Sequence, residues 1–132
     1  GSLKKIPPST KKTIVNAVDL ISKNKKITLN FCINYGSQQE IIEAVNNWVL
    51  SRKKNEKMSI NKMNKLLYSH DISNVDLLIR TSGEFRLSNF MLWQIAYSEL
   101  VFLDVLWPEF KPHHLYRSIY EYQNRERRYG GI

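Results

Sequence analysis

The chain of 132 residues contains one cysteine, four prolines and five glycines, and acidic residues are outnumbered, 12 against 20 lysines and arginines. A lone thiol, Cys32, cannot close an internal disulfide, and its place in an apolar stretch reads as a small buried hydrophobe. No apolar run approaches the roughly 20 residues of a membrane helix, and the opening GSLKKIPPS has no hydrophobic signal-peptide core, so the expected setting is cytoplasmic. His70, His113 and His114 have no cysteine or carboxylate partners at metal-finger spacing and are expected at the surface. The formal charge of +8 favours anionic partners such as diphosphates, acidic lipid surfaces or nucleic acid without choosing among them. Its lysines lie mostly in the first half, in the manner of a solvated coat.

What is present suits one soluble α/β domain, with 42% hydrophobic and 24% charged residues. Gly1 and Ser2 look like a scar of tag removal. Ser9 or Thr10 can cap a first helix with Ile14, Val18 and Ile21 on one face. Ile27 to Ile33 reads as a strand, and Asn34, Tyr35 and Gly36 as a turn. Ser37 with Glu40 forms a capping-box pattern opening a second helix whose buried stripe is Ile41, Val45, Trp48 and Val49. Ser59 caps a short helix with Ile60, Met63 and Leu67 inward. Val75 to Ile79 has the length of a buried strand, Phe90 to Tyr97 reads as a helix buried on every side, and Leu100 to Leu106 as a further covered strand. Pro112 begins a last helix carrying Leu115, Ile119 and Tyr122. The alternation implies helices flanking a mostly parallel sheet of about three strands.

Chemistry concentrates where the strand at Ile79 ends. Arg80 and Arg86 present forked guanidiniums, Thr81, Ser82 and Ser88 add hydroxyls, and the free amides of the expected following helix would point the same way. A phosphate or diphosphate suits such a loop, and so does the plainer alternative of a solvated turn with a helix cap. Ligands of open α/β sheets bind beyond the carboxyl ends of strands, where Arg80 lies.

The string Asp76 to Phe110, DLLIRTSGEFRLSNFMLWQIAYSELVFLDVLWPEF, closely resembles the C-terminal signature of the cis-prenyltransferases, the undecaprenyl diphosphate synthase family. Leu29 to Gly36 is similar to that family's NYGG strand and turn, and Asn124 to Gly131 to its C-terminal end. The resemblance implies that residues 3–132 are the C-terminal part of one domain, a truncated form of the family's six-stranded fold. It implies that Arg80, Arg86, Leu87 and Ser88 bind the diphosphate of isopentenyl diphosphate. Glu99 would help hold Mg2+ there, although from the residues alone Glu99 reads rather as a surface acid at a helix end. Arg128 and Gly130 resemble an ending that reaches the neighbouring subunit's active site in a homodimer; their plainer reading is a frayed basic tail. Phe85 stands where some bacterial members carry a metal-contacting histidine.

The family's reaction condenses isopentenyl diphosphate with an allylic diphosphate such as farnesyl diphosphate into a long-chain polyprenyl diphosphate. Its DGNGRW-type and FSTENW-type segments do not occur in the sequence, so the expectation is an enzyme family but a catalytically incomplete chain, with no catalytic residue assigned. The alternative is a non-catalytic scaffold subunit of a heteromeric cis-prenyltransferase, although such subunits usually lose the diphosphate-binding residues kept here. A peripheral membrane surface is expected through the lipid product, and an organellar location if the source is a eukaryote. Nucleic acid is not an expected partner, because Tyr116, Tyr120 and Tyr122 ring one helix and no recognisable binding motif accompanies the charge.

Overall fold

A computed structural model describes residues 1–127. In chain order the elements are α1 (Pro8–Ile21), α2 (Ser37–Ser51), α3 (Ile60–Leu66), β1 (Leu77–Arg80), β2 (Glu99–Phe102), a 3-10 turn (Trp107–Glu109) and α4 (Pro112–Gln123). β1 and β2 pair in parallel with Leu77 opposite Glu99 and Arg80 opposite Phe102. The α/β class with a parallel sheet and flanking helices is as expected, with two strands among the described residues where about three were expected.

The missing strand is Ile27 to Ile33. Its alternating apolar residues Ile27, Leu29 and Phe31 are all exposed, and no ladder forms along it. A period-2 pattern makes a strand only when a neighbouring edge satisfies its backbone; none of the described residues supplies that edge. Cys32 is accordingly half-buried and free, not in a strand.

The second correction concerns the expected helix over Phe90 to Tyr97, which is a series of turns. Ser88, Asn89 and Met91 have φ of +48°, +60° and +47°, outside the helical region. The Leu92 amide donates to Ser37 Oγ at 3.0 Å and not to the carbonyl four residues back, leaving one helical closure from Ile95 N–H to the Met91 carbonyl. Nor is the segment buried on every side, since Tyr97 is exposed while Gln94 and Ile95 are buried.

The helices start where their chemistry permits. Pro8 opens α1 as a proline tolerated in a first turn, and α1 buries no residue. Ser59 Oγ accepts from the Lys62 amide at the start of α3, as expected. Pro112 likewise begins α4. α2 departs from the expected capping box: Gly36 is its N-cap, Ser37 its first residue, and Glu40 turns inward. Its inward face is centred on Ala44, which packs with Met63 and Leu67 against Ile41, Met58, Leu66 and Trp93. Val45 and Val49 of the expected stripe are exposed. Trp48 is half-buried, with Arg52 over its ring at 5.2 Å. Among the described residues, no helix is long and apolar enough to cross a membrane.

Candidate functional site

Arg80 is the last residue of β1, and its carbonyl accepts from the Leu103 amide at 2.8 Å just beyond β2. Its guanidinium has no ion-pair or hydrogen-bond partner among the described residues. The loop that follows folds back over the end of β2. The Ser82 amide donates to the Val105 carbonyl at 2.8 Å and the Gly83 amide to the Leu103 carbonyl at 3.0 Å. Gly83 has φ +63°, which favours glycine, and a Cβ there would stand 2.8 Å from Asp104 Oδ1, so that carboxylate would have to shift. Phe85 packs against Phe102 with the rings tilted by 37° and their centroids 5.2 Å apart, joining the far side of the loop to β2. Arg86 is exposed and pairs with its neighbour Glu84, Leu87 is half-buried, and Ser88 is exposed.

Arg80 thus stands at the carboxyl end of β1, and Arg86, Leu87 and Ser88 lie on the polar stretch that follows it. The structure removes one expected donor set: with no helix after Ser88 there is no helix N-terminus to aim at an anion. The Ser82 and Gly83 amides are also committed elsewhere. The side chains of the loop offer a ligand guanidinium and hydroxyl groups.

Glu99 lies at the other end of the ladder. The register sets it three residues from the level of Arg80, about 10 Å along the strands. Arg125 Nη1 donates to Glu99 Oε2 and to the Leu100 carbonyl, each at 2.9 Å, while Nη2 reaches Glu121 Oε1 at 2.6 Å. The hydrogen bonds to Glu99 and then Glu121 hold the guanidinium above its usual range. Beside it, Arg127 reaches Asp76 at 3.1 Å and the Tyr122 hydroxyl at 2.6 Å. Mg2+ asks for a near-octahedral oxygen shell, and among the described residues no group of three or more His, Cys, Asp or Glu converges. With Glu99 and Glu121 held by Arg125 and Asp76 by Arg127, this end does not fit a metal by itself. Arg128 and Gly130 lie outside the described residues. The histidines are at the surface or partly so, His113 and His114 touching each other through their Nε2 atoms at 3.1 Å.

Sequence reasoning missed Glu40, only 1% exposed. Tyr35 Oη donates to its Oε2 at 2.5 Å, the Tyr68 amide to Oε1 at 2.8 Å, and Gln94 Nε2 to both oxygens at 3.1–3.2 Å. Burial, and then the bond to Glu40, push the Tyr35 phenol above its ordinary range. One carboxylate thus ties the Asn34–Gly36 turn, α2, the end of α3 and the segment after Ser88. The available signal was the acid three residues after Ser37, which pattern alone assigns to a cap.

Residues 1–130 match the sequence model of a family described as putative undecaprenyl diphosphate synthase. The chain belongs to that family. It is 46% identical over 138 residues to an isoprenyl transferase of Leptospira interrogans, covering 100% of this chain and 57% of that protein. It is 45% identical over 139 residues to the isoprenyl transferase of Halalkalibacterium halodurans, covering 100% of this chain and 53% of that one. Among solved structures it resembles a probable undecaprenyl diphosphate synthase of Campylobacter jejuni, with TM-score 0.85, 29% identity and coverage of 98% of this chain and 60% of that one. It also resembles lavandulyl diphosphate synthase from Lavandula x intermedia in complex with dimethylallyl diphosphate, with TM-score 0.91, 28% identity and coverage of 98% and 58%. The chain spans about half the length of the isoprenyl transferases it matches. As a member of the undecaprenyl diphosphate synthase family, it carries the α/β fold of these prenyl diphosphate synthases.

Proposed function

We propose that this chain supplies the isopentenyl-diphosphate-holding part of a cis-prenyltransferase, which condenses isopentenyl diphosphate with an allylic diphosphate such as farnesyl diphosphate. The carrying observation is Arg80: a half-buried arginine at the carboxyl end of a parallel strand, its side chain without a partner among the described residues. A guanidinium left unpaired there can be completed by an anion. Arg86 and Ser88 stand on the same loop as further donors, and Leu87 between them is half-buried. The solved lavandulyl diphosphate synthase in complex with dimethylallyl diphosphate supports a prenyl diphosphate as the ligand class.

In this function Arg80, Arg86 and Ser88 hold the diphosphate so that the five-carbon nucleophile is kept in register with its electrophile, which is catalysis by positioning. The allylic carbon–oxygen bond breaks, diphosphate leaves, the isopentenyl double bond forms the new carbon–carbon bond, and a proton is lost. No covalent enzyme intermediate is needed. Mg2+ belongs to the family expectation for Glu99, but no step is assigned to it, because Arg125 holds that carboxylate and the described residues bring it no companion ligands. A homodimer, with Arg128 and Gly130 reaching the second subunit, and a cytoplasmic or membrane-surface location, organellar in a eukaryote, belong to the same proposal.

The test is condensation of radiolabelled isopentenyl diphosphate with farnesyl diphosphate and Mg2+, run on this chain and on a form with the length of its relatives. Chain elongation in the longer form, lost with Arg80→Ala, is the expected outcome. No elongation in either form overturns the enzymatic proposal and favours a scaffold subunit.

A further inference from the structure

Ser88 is followed by a residue whose backbone and side chain are both held by a different part of the molecule. The Ser37 amide donates to the Asn89 carbonyl at 2.8 Å, and the Gln38 amide donates to Asn89 Oδ1 at 2.9 Å. These are the first two amides of α2, which have no partner within the helix. Ser37 returns the attachment through Oγ, which accepts from the Leu92 amide at 3.0 Å and is itself completely buried. Gly36 makes room for the arrangement, since a Cβ there would stand 2.9 Å from Asn89 Nδ2.

The backbone at this point needs such support. Ser88 and Asn89 are consecutive left-handed residues, at φ +48° and +60°. Each costs a non-glycine residue on the order of 1 kcal/mol, asparagine being among the tolerant types, and the conformation persists only where its surroundings over-determine it. One turn along α2, Glu40 grips Gln94 through both carboxylate oxygens, so the segment after Ser88 is fastened at Asn89, Leu92 and Gln94. Arg86 and Ser88 themselves are exposed, and the only ion pair of Arg86 is to Glu84 of its own loop among the described residues. Their placement is therefore inherited from the attachment that follows them.

We propose that Asn89 is a positioning residue. Docked on the start of α2, it fixes the left-handed Ser88–Asn89 pair, and so sets the Ser88 hydroxyl and the Arg86 guanidinium beside the end of β1 where Arg80 stands. The role rests on the diphosphate function proposed above, and its attachment half can be read without any ligand.

Asn89→Gly keeps the left-handed backbone and removes the acceptor for Gln38, whereas Asn89→Asp keeps both. In the whole protein, Asn89→Gly is expected to raise KM for isopentenyl diphosphate roughly tenfold, with kcat changed by less than about threefold. Asn89→Asp should stay within about threefold of the unaltered protein in both constants. Amide exchange at Gln38, measured without ligand, should quicken in Asn89→Gly and stay slow in Asn89→Asp. Unchanged KM in Asn89→Gly, in a preparation where Arg80→Ala does raise it, overturns the positioning role and leaves the diphosphate function standing. Unchanged exchange at Gln38 overturns the attachment. If Arg80→Ala leaves KM unchanged, the diphosphate function falls, and the positioning role with it.

Discussion

At the amino end of the β1–β2 ladder, Arg125 is shared between Glu99, the Leu100 carbonyl and Glu121, and Arg127 reaches Asp76 and Tyr122. At the carboxyl end, three residues away in register, Arg80 has no partner among the described residues and Arg86 has only Glu84 of its own loop. The same side chain closes structure in one place and is left open in the other. A guanidinium whose donors are filled by the protein stitches elements together, here α4 to β2. One that the fold carries to a strand end and leaves unfilled is available to a ligand. The contrast favours the proposed site more sharply than net charge does, since net charge cannot separate a solvated coat from a binding loop.

Substitutions can break the contrast in order of expected size. Glu40→Ala strikes the most heavily partnered buried carboxylate: Tyr35 and the Tyr68 amide lose their acceptor, and Gln94 keeps only Ser69 Oγ. Unfolding by urea should show a loss of about 3 kcal/mol, since donors stranded in the interior each carry a desolvation penalty. Arg80→Ala should do the reverse, weakening isopentenyl diphosphate binding by roughly 10- to 100-fold in titration calorimetry, with Tm lowered by no more than about 2 °C. A large drop in Tm would mean that Arg80 is structural after all, and the two ends would no longer differ.

Arg125→Gln comes third. Its side chain is a third exposed, so solvent screening limits the loss to about 1 kcal/mol or less, with diphosphate binding unchanged. The smallest effect is at Tyr68, whose phenol is pushed up to about 12 by the hydrogen bond it donates to Glu43 and then by burial. A folded pKa above the unfolded value of about 10 stabilises the fold fully below pH 10, and that contribution fades as pH rises through 12. Tyrosinate absorbance should therefore show a late-ionising phenol that Tyr68→Phe removes.

Where the sequence was informative, local chemistry and global fold agreed. Arg80 was legible because a short apolar strand ends in a polar, glycine-containing loop, and α3 and α4 began at Ser59 and Pro112 because caps and helix-opening prolines act locally. The failures share another cause. Ile27 to Ile33 has the pattern of a strand, but a ladder needs a second edge, which no pattern within one segment supplies. Phe90 to Tyr97 has the polarity of a buried helix, while its turns accompany the docking of Asn89 on α2, a contact between residues 51 positions apart. Glu40 failed in the same way: three residues after a serine it looks like half of a cap, and only the approach of Tyr68 and Gln94 makes it a buried junction.

The commitment of the Ser82 and Gly83 amides to the Val105 and Leu103 carbonyls has a further consequence. An anion held by a cradle of backbone dipoles is read by shape at short range, whereas one met chiefly by guanidiniums is attracted by net charge across solvent. Salt shortens that reach, to about 8 Å at physiological ionic strength and about 3 Å at 1 M. On the proposed function, capture at this loop is tied to the ionic composition of its surroundings, and counterions gathered near the arginines become competitors for the same place.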